Sequence, residues 1–318
     1  RSPERRRRCR EPGRVNFSSV TEAERVGARR IARLVEPIHS VGYYGREIHE
    51  LTDRERSDWR GYRGWWQAYF AYRAAPLGEA PAPAVTAAFY NFAPRMVEKA
   101  VPEVWSFGSP TDTITRRDEV VDRALRRTFA SELGGSAIAE AAELARRAVA
   151  DADVAGRVLF GAHMGLDWPS DDEPHRVLWH ACTMLRELRG DSHAIALAAA
   201  EVDGCQSHLL MTARGTGNRA TIQKIRGWND EEWDHAARSL AERGWLTADG
   251  LFTDEGQRAR IGIERHTDRL SAQAAQGLGE ADLDRFEELL GSLVATVLAV
   301  GEVPGTWPPP DLKVLDPA

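Results

Sequence analysis

The chain has 318 residues, 42% hydrophobic and 28% charged, with a formal net charge of −6, a composition that supports a buried core and excludes a fibrous or wholly disordered protein. The longest apolar stretch, 292–301, is shorter than the roughly 18 residues a membrane-spanning helix needs. Three widely spaced cysteines, Cys9, Cys182 and Cys205, exclude a disulfide framework and a paired-cysteine metal site, and point to a reducing, cytoplasmic setting with no membrane partner.

The first fourteen residues, "RSPERRRRCREPGR", hold seven Arg against two Glu. They read as a disordered basic arm or a non-native start ahead of Val15, and no apolar segment follows to make them a signal peptide. A nucleic-acid-binding arm is the alternative. Residues 15–194 form a helical domain. Thr21 and Glu24 have capping-box spacing, and Val26, Ile31, Leu34, Val35, Ile38 and Val41 mark one helical face. Pro37 inside that pattern predicts a kink or a restart as two helices. An aromatic helix over 60–78 ends at Pro76 and Gly78. Short helices over 82–105 break at Pro94 and Pro102, and Ala-rich amphipathic helices occupy 116–133 and 136–153. Two more helices follow the turn-rich "GLDWPSDDEPH", with Asp191 as the N-cap of the second. His163 and His175 beside that loop read as exposed and His180 as buried.

From about 195 to 270 the order is helix, short helix "ATIQKIRG", helix "DEEWDHAARSLAERG", the segment "WLTADGLFT" and a last helix "DEGQRARIGIERHTDRL". Asn229 and Glu232 suit a capping box, Trp233, Ala237, Leu240 and Ala241 face inward, and Gly244 stops the helix. Asp249-Gly250 suits a two-residue hairpin turn. Residues 271–300 present one apolar face (Leu283, Phe286, Leu290, Leu293 and Val297) for packing or for a homodimer, and 301–318 are a Pro-rich tail. The fold class expected is all-α: a multi-helix N-terminal bundle plus a C-terminal winged-helix module with one short β-hairpin.

The stretch "AARSLAERGWLTADGLFTDEGQRAR" resembles the recognition helix and wing of MarR-like regulators. "EPIHSVGYYGREIHE", "FYNFAP", "LRELRGDSH" and "EVDGCQSHLL" resemble an actinobacterial family of all-helical helix-turn-helix proteins, a likeness covering most of residues 20–270. It implies an architecture and assigns no biochemical role. Charge limits the DNA-reading implication. The first turn of the recognition helix offers Asn229, Asp230, Glu231 and Glu232, and carboxylates there repel phosphate and forgo counterion release. The expected wing tip has no Arg or Lys for a minor groove. Candidate DNA contacts are Arg219, Lys224, Arg226, Asn229 and Arg238.

Polar groups in apolar helices mark a candidate small-molecule pocket. Glu36 and His39 have the E-x-x-H spacing of carboxylate metal bundles, but no second such motif accompanies them. Metal is therefore the minor alternative to hydrogen bonding beside Pro37, and no cofactor is expected. His193 and His208 lie in an Ala- and Leu-rich segment near Arg189. "GYRGWWQAYFAYR" and "FYNF" add aromatic walls. The pocket candidates are Glu36, His39, Tyr43, Trp66, Arg73, Tyr90, Asn91, Arg189, His193 and His208. No nucleophile elbow, phosphate-binding loop, dinucleotide fingerprint or H-E-x-x-H motif is present. These features read as a small-molecule-binding helical protein with a MarR-like winged helix: a ligand-responsive regulator with a degenerate DNA surface. The alternative is an enzyme or binding protein of specialised metabolism, with Glu36, His39, Arg189, His193 and His208 as the working groups and the winged helix as scaffold.

Overall fold

The first helix, α1 (Glu22–Tyr44), begins where the Thr21 hydroxyl accepts from the Glu24 amide while the Glu24 carboxylate accepts from the Thr21 amide. In the computed structural model, which describes residues 20–52, 62 and 64–303, α1 runs through Pro37 without restarting. Of the two expected outcomes, a kink or a restart, the restart as two helices does not occur. Pro37 and the four residues after it are all buried, so packing on both sides holds the helix where a backbone hydrogen bond is lost. The arginine-rich start and the tail beyond Val303 lie outside the described residues.

There follow α2 (Arg46–Thr52), α3 (Trp65–Ala74) with a 3-10 turn over Ala75–Leu77, α4 (Ala82–Ala88) and α5 (Pro94–Glu98). The bundle continues with α6 (Pro110–Thr128), α7 (Ser136–Ala150), α8 (Val158–Met164) and α9 (Pro174–Ala199). Helix α9 is the axis: α1, α6, α7 and α8 pack around it. It is one helix, and Asp191, expected to cap a second, lies buried within it. The Asp191 carboxylate instead accepts from the Phe160 amide in the first turn of α8 at 2.8 Å. Arg157, at the N-cap of α8, offers no accepting side chain, so the cap is supplied from across the interface.

The C-terminal third holds α10 (Gly204–Thr212), α11 (Arg219–Arg226), α12 (Asp230–Glu242), α13 (Asp254–Ser271), α14 (Gln273–Leu278) and α15 (Glu280–Val300). Two apolar cores result. One joins α1–α9 with α14 and α15, and buries Leu283, Phe286, Leu290, Leu293 and Val297. The other joins the end of α9 with α10–α13. Helix α13 ties them along a polar seam, where Asp268 accepts from Arg29 at 2.7 Å and from Arg189 at 2.8 Å.

The winged helix is not formed. Among the described residues there is no strand, only one antiparallel bridge between Leu246 and Phe252. Asp249-Gly250 does make the turn, with Gly250 at φ 79°. The arms cannot lengthen, because Gly244 ends α12 and Thr253 already caps α13 by accepting from the Gly256 amide. On α12 the inward set is Trp233, Ala236 and Leu240; Ala237 is half-buried and Ala241 exposed. Of the expected inward set Trp233, Leu240 and, in part, Ala237 meet the core, whereas Ala241 faces solvent and Ala236 is buried instead.

Gly256 makes this junction possible: a Cβ there would lie 1.9 Å from the Trp245 carbonyl oxygen. Gly256→Ala is expected to cost about 1–3 kcal/mol through overpacking, read as a lower urea midpoint.

Candidate functional site

Two adjoining hollows open between the bundle and the helix-turn-helix. The larger, about 380 Å³, is lined by Glu36, His39 and Tyr43 of α1, Trp65, Trp66 and Tyr69 of α3, and Thr221, Ile225 and Arg226 of α11. The smaller, about 210 Å³, is lined by Arg73, Phe89, Tyr90, Asn91, Glu187, Asp191 and His193. Tyr69, Arg186 and Arg226 line both and form the neck between them.

Local sequence explains the walls. The aromatic residues of α3 recur on neighbouring faces, so Trp65 stacks on Tyr69 at 5.0 Å while Trp66 meets Phe92 edge-on at 6.1 Å. The Trp65 indole donates to the Tyr43 carbonyl at 2.8 Å, which fixes the outer wall on α1. Behind the neck, Glu187 accepts from Arg73 at 2.6 and 2.9 Å and from Arg186 at 3.1 Å, and Glu36 accepts from Arg186 at 3.2 Å. Burial alone pushes the Glu187 carboxyl up, but Arg73 and Arg186 reverse this and hold it well below the usual range.

Of the pocket candidates, Glu36, His39, Tyr43 and Trp66 line the larger hollow, and Arg73, Tyr90, Asn91 and His193 the smaller. Arg189 lines neither; it is spent on Asp268 and Glu264. His208 lies beneath the floor, donating from Nε2 to the Asn91 carbonyl at 2.9 Å. Glu36 and His39 are engaged separately, Glu36 by Arg186 and His39 by the Thr183 hydroxyl at 3.1 Å. Among the described residues no cluster of His, Cys, Asp or Glu could hold a metal ion. Arg186 and Glu187 escaped the sequence-based set, whereas Tyr69 and Phe92 stand in the aromatic runs expected as walls. An Arg-Glu pair inside the apolar run "HACTMLREL" was the available signal.

The DNA-contact candidates divide. Lys224, Asn229 and Arg238 are exposed. Arg219 is held by Asp230 and Asp234, each at 2.8 Å, so it neutralises the acidic turn instead of facing solvent as a free cation. Arg226 turns inward, its guanidinium 4.3 Å from the centre of the Phe92 ring. Asn229 caps α12 with Glu232 as reciprocal partner, and Glu232 also takes a two-pronged bond from Arg95.

The segment from Phe89 to Arg95 touches both parts. Phe89, Tyr90, Asn91 and Phe92 form a wall of the smaller hollow. On its other side the Asn91 carbonyl accepts from the Trp228 indole at 3.1 Å, the Tyr90 hydroxyl donates to the Val202 carbonyl at 2.6 Å, and the Ala93 amide donates to the Arg226 carbonyl at 2.9 Å. Gly204 allows the close seat, since a Cβ there would stand 2.3 Å from the Tyr90 carbonyl oxygen.

Fold and site together define an all-helical protein that joins a lined cleft to a helix-turn-helix. The chain belongs to a helix-turn-helix family, whose model matches residues 28–304. Neither a curated protein nor a solved structure matches it significantly. No helix among the described residues is long and apolar enough to cross a membrane.

Buried titratable groups set the pH response. His163 and His175, expected to be exposed, are both buried, and His175 Nε2 lies 2.6 Å from the Asp122 carboxylate. Burial pulls His163 down to about 4 and His180 and His208 down to about 3. The unfolded chain therefore takes up these protons first, and stability falls as pH drops below about 6.5. Asp191 runs the other way: burial raises it from 3.8 to about 7, so its contribution is lost as pH rises through that window. Between about pH 4 and 6.5 the three histidines outweigh Asp191, so the melting temperature should fall as pH drops through that range. Asp191→Asn removes the one contribution that opposes the histidines and should steepen that fall between about pH 4 and 6.5.

Proposed function

We propose that this chain is a ligand-responsive DNA-binding regulator, with its effector bound in the cleft and its helix-turn-helix repositioned by that binding. The observation that carries the reading is the double use of residues 89–95. One side of the segment lines the cleft, and the other seats α10, α11 and α12 through Tyr90, Asn91, Ala93 and Arg95. Helix α11 has the same double character, with Thr221, Ile225 and Arg226 in the larger hollow and Lys224 exposed. A ligand acts on an equilibrium only through different contacts in its two states, and this shared wall supplies such contacts.

The DNA-facing surface is modest. On the solvent side of α11 and α12, Arg219, Lys224 and Arg238 stand against Asp230, Glu231, Asp234 and Glu242, one more negative than positive. Affinity would then rest on few phosphate contacts and should be low and salt-sensitive. The same charge balance favours a second reading, a small-molecule-binding protein or enzyme that keeps the helix-turn-helix as scaffold.

Selection of duplexes from a random pool with the full chain, followed by titration at two salt concentrations, separates the two. For the regulator, the double substitution Lys224→Glu and Arg238→Glu should weaken capture of the selected duplex about ten-fold or more and reduce the salt slope by about two. Absence of any selected sequence at low salt, or capture untouched by the double substitution, rejects the regulator reading.

A further inference from the structure

Among the ionised groups at the neck of the cleft, charge does not balance. Arg73 and Arg186 are committed to Glu187 and Glu36, two cations to two anions. The Arg226 guanidinium has no hydrogen-bond or ion-pair partner among the described residues, and it stands 4.3 Å from the centre of the Phe92 ring. Asp191 does not supply the missing charge, because its carboxylate serves the Phe160 amide at the α8 end of the smaller hollow. Burial lowers the Arg226 pKa; Tyr69 and Tyr44 oppose this and the like charge on Arg186 and Arg73 adds to it, so the surplus cation is still held below its ordinary range.

A guanidinium presents up to five N–H donors in a planar fork, and stacking on a ring leaves its edge free for a carboxylate. Next to that edge is a hollow of about 380 Å³ walled by Tyr44, Trp65, Trp66 and Tyr69, at the small end of the range for ligand pockets and shaped by flat rings. We infer that the cleft takes a flat aromatic monoanion, its carboxylate held by Arg226 at the neck and its ring between the tyrosine and tryptophan walls. This rests on the cleft being a ligand site, and it makes Arg226, the last residue of α11, the group through which a ligand pulls on the helix-turn-helix.

Three probes of one shape test it by calorimetry on the full chain: 2-naphthoate, the neutral 2-naphthamide and the cationic 2-naphthylmethylammonium. The naphthoate should bind about ten-fold or more tightly than the amide, a difference of about 1.4 kcal/mol, and the ammonium should bind least. Arg226→Gln should bring naphthoate and amide to equal affinity. Arg226→Lys, which keeps charge but loses the fork, should weaken naphthoate while leaving the amide unchanged, and it carries the test if the glutamine variant melts early. Equal or better binding of the amide by the native chain, an anion preference that survives Arg226→Gln, or binding of none of the three overturns the inference. Duplex capture measured with and without each probe keeps the two proposals apart. An Arg226-dependent anion preference with no effect on capture sinks the regulator alone. An effect on capture from the amide as strong as from the naphthoate sinks the anion assignment alone.

Discussion

The carboxylate of Glu187, 1% exposed, lies at the centre of the bundle between two guanidinium groups. Two charges so deeply placed are tolerated only when each is met by the other and by further hydrogen bonds. Glu187 meets that condition: it joins α3 to α9 through Arg73, turns Arg186 toward Glu36 on α1, and so fixes three helices at one point. Removing one partner of such a group costs about 3–5 kcal/mol, because the other is left buried and unmatched. The cleft exists because these groups hold its inner wall open in polar form where apolar side chains would close it. With Arg73 and Arg186 spent on this cluster, Arg226 remains as the unmatched cation.

Around that centre the molecule is two cores with a shared partition. Segment 89–95 has no long helix of its own, and it is held on the helix-turn-helix side by one carbonyl, one amide, one hydroxyl and one guanidinium. Backbone atoms that serve as hydrogen-bond partners on one face while their side chains line a hollow on the other cannot shift independently. That rigidity is the physical basis for connecting cleft and helix-turn-helix, and it depends on Gly204 and Gly227 allowing Tyr90 and Met96 close approach. The polar seam of Arg29, Arg189, Glu264 and Asp268 holds the far edge of the same junction.

Much of the cleft was legible as types of residue and little of it as geometry. Polar groups in apolar helices marked Glu36, His39 and His193, and the aromatic runs marked Trp66, Tyr90 and their neighbours, because such groups bury only where something answers them. The same reasoning placed Arg189 and His208 in the pocket, yet each is answered by the fold itself, at Asp268 and at the Asn91 carbonyl. Helical period says which residues share a face and does not say which neighbour that face meets. Arg226 shows the difference most clearly: as the basic end of a short helix it looked like a phosphate contact, and docking against Phe92 turned it inward.

The sequence by itself determined what is local: the capping boxes at Thr21 and Asn229, the stop at Gly244, the Asp249-Gly250 turn and the all-helical class. Each depends on bonds or backbone angles within about four residues. Tertiary structure decided the rest. It kept α1 whole through Pro37, moved the break between two expected helices from Asp191 to residues 200–203 and used Asp191 to cap α8. It also reduced the wing to one bridge and paired Arg73 with Glu187 and Arg95 with Glu232 across 114 and 137 residues. Those outcomes depend on which surfaces meet, and meeting surfaces are set by the packing of both cores at once, a quantity no short window of residues contains.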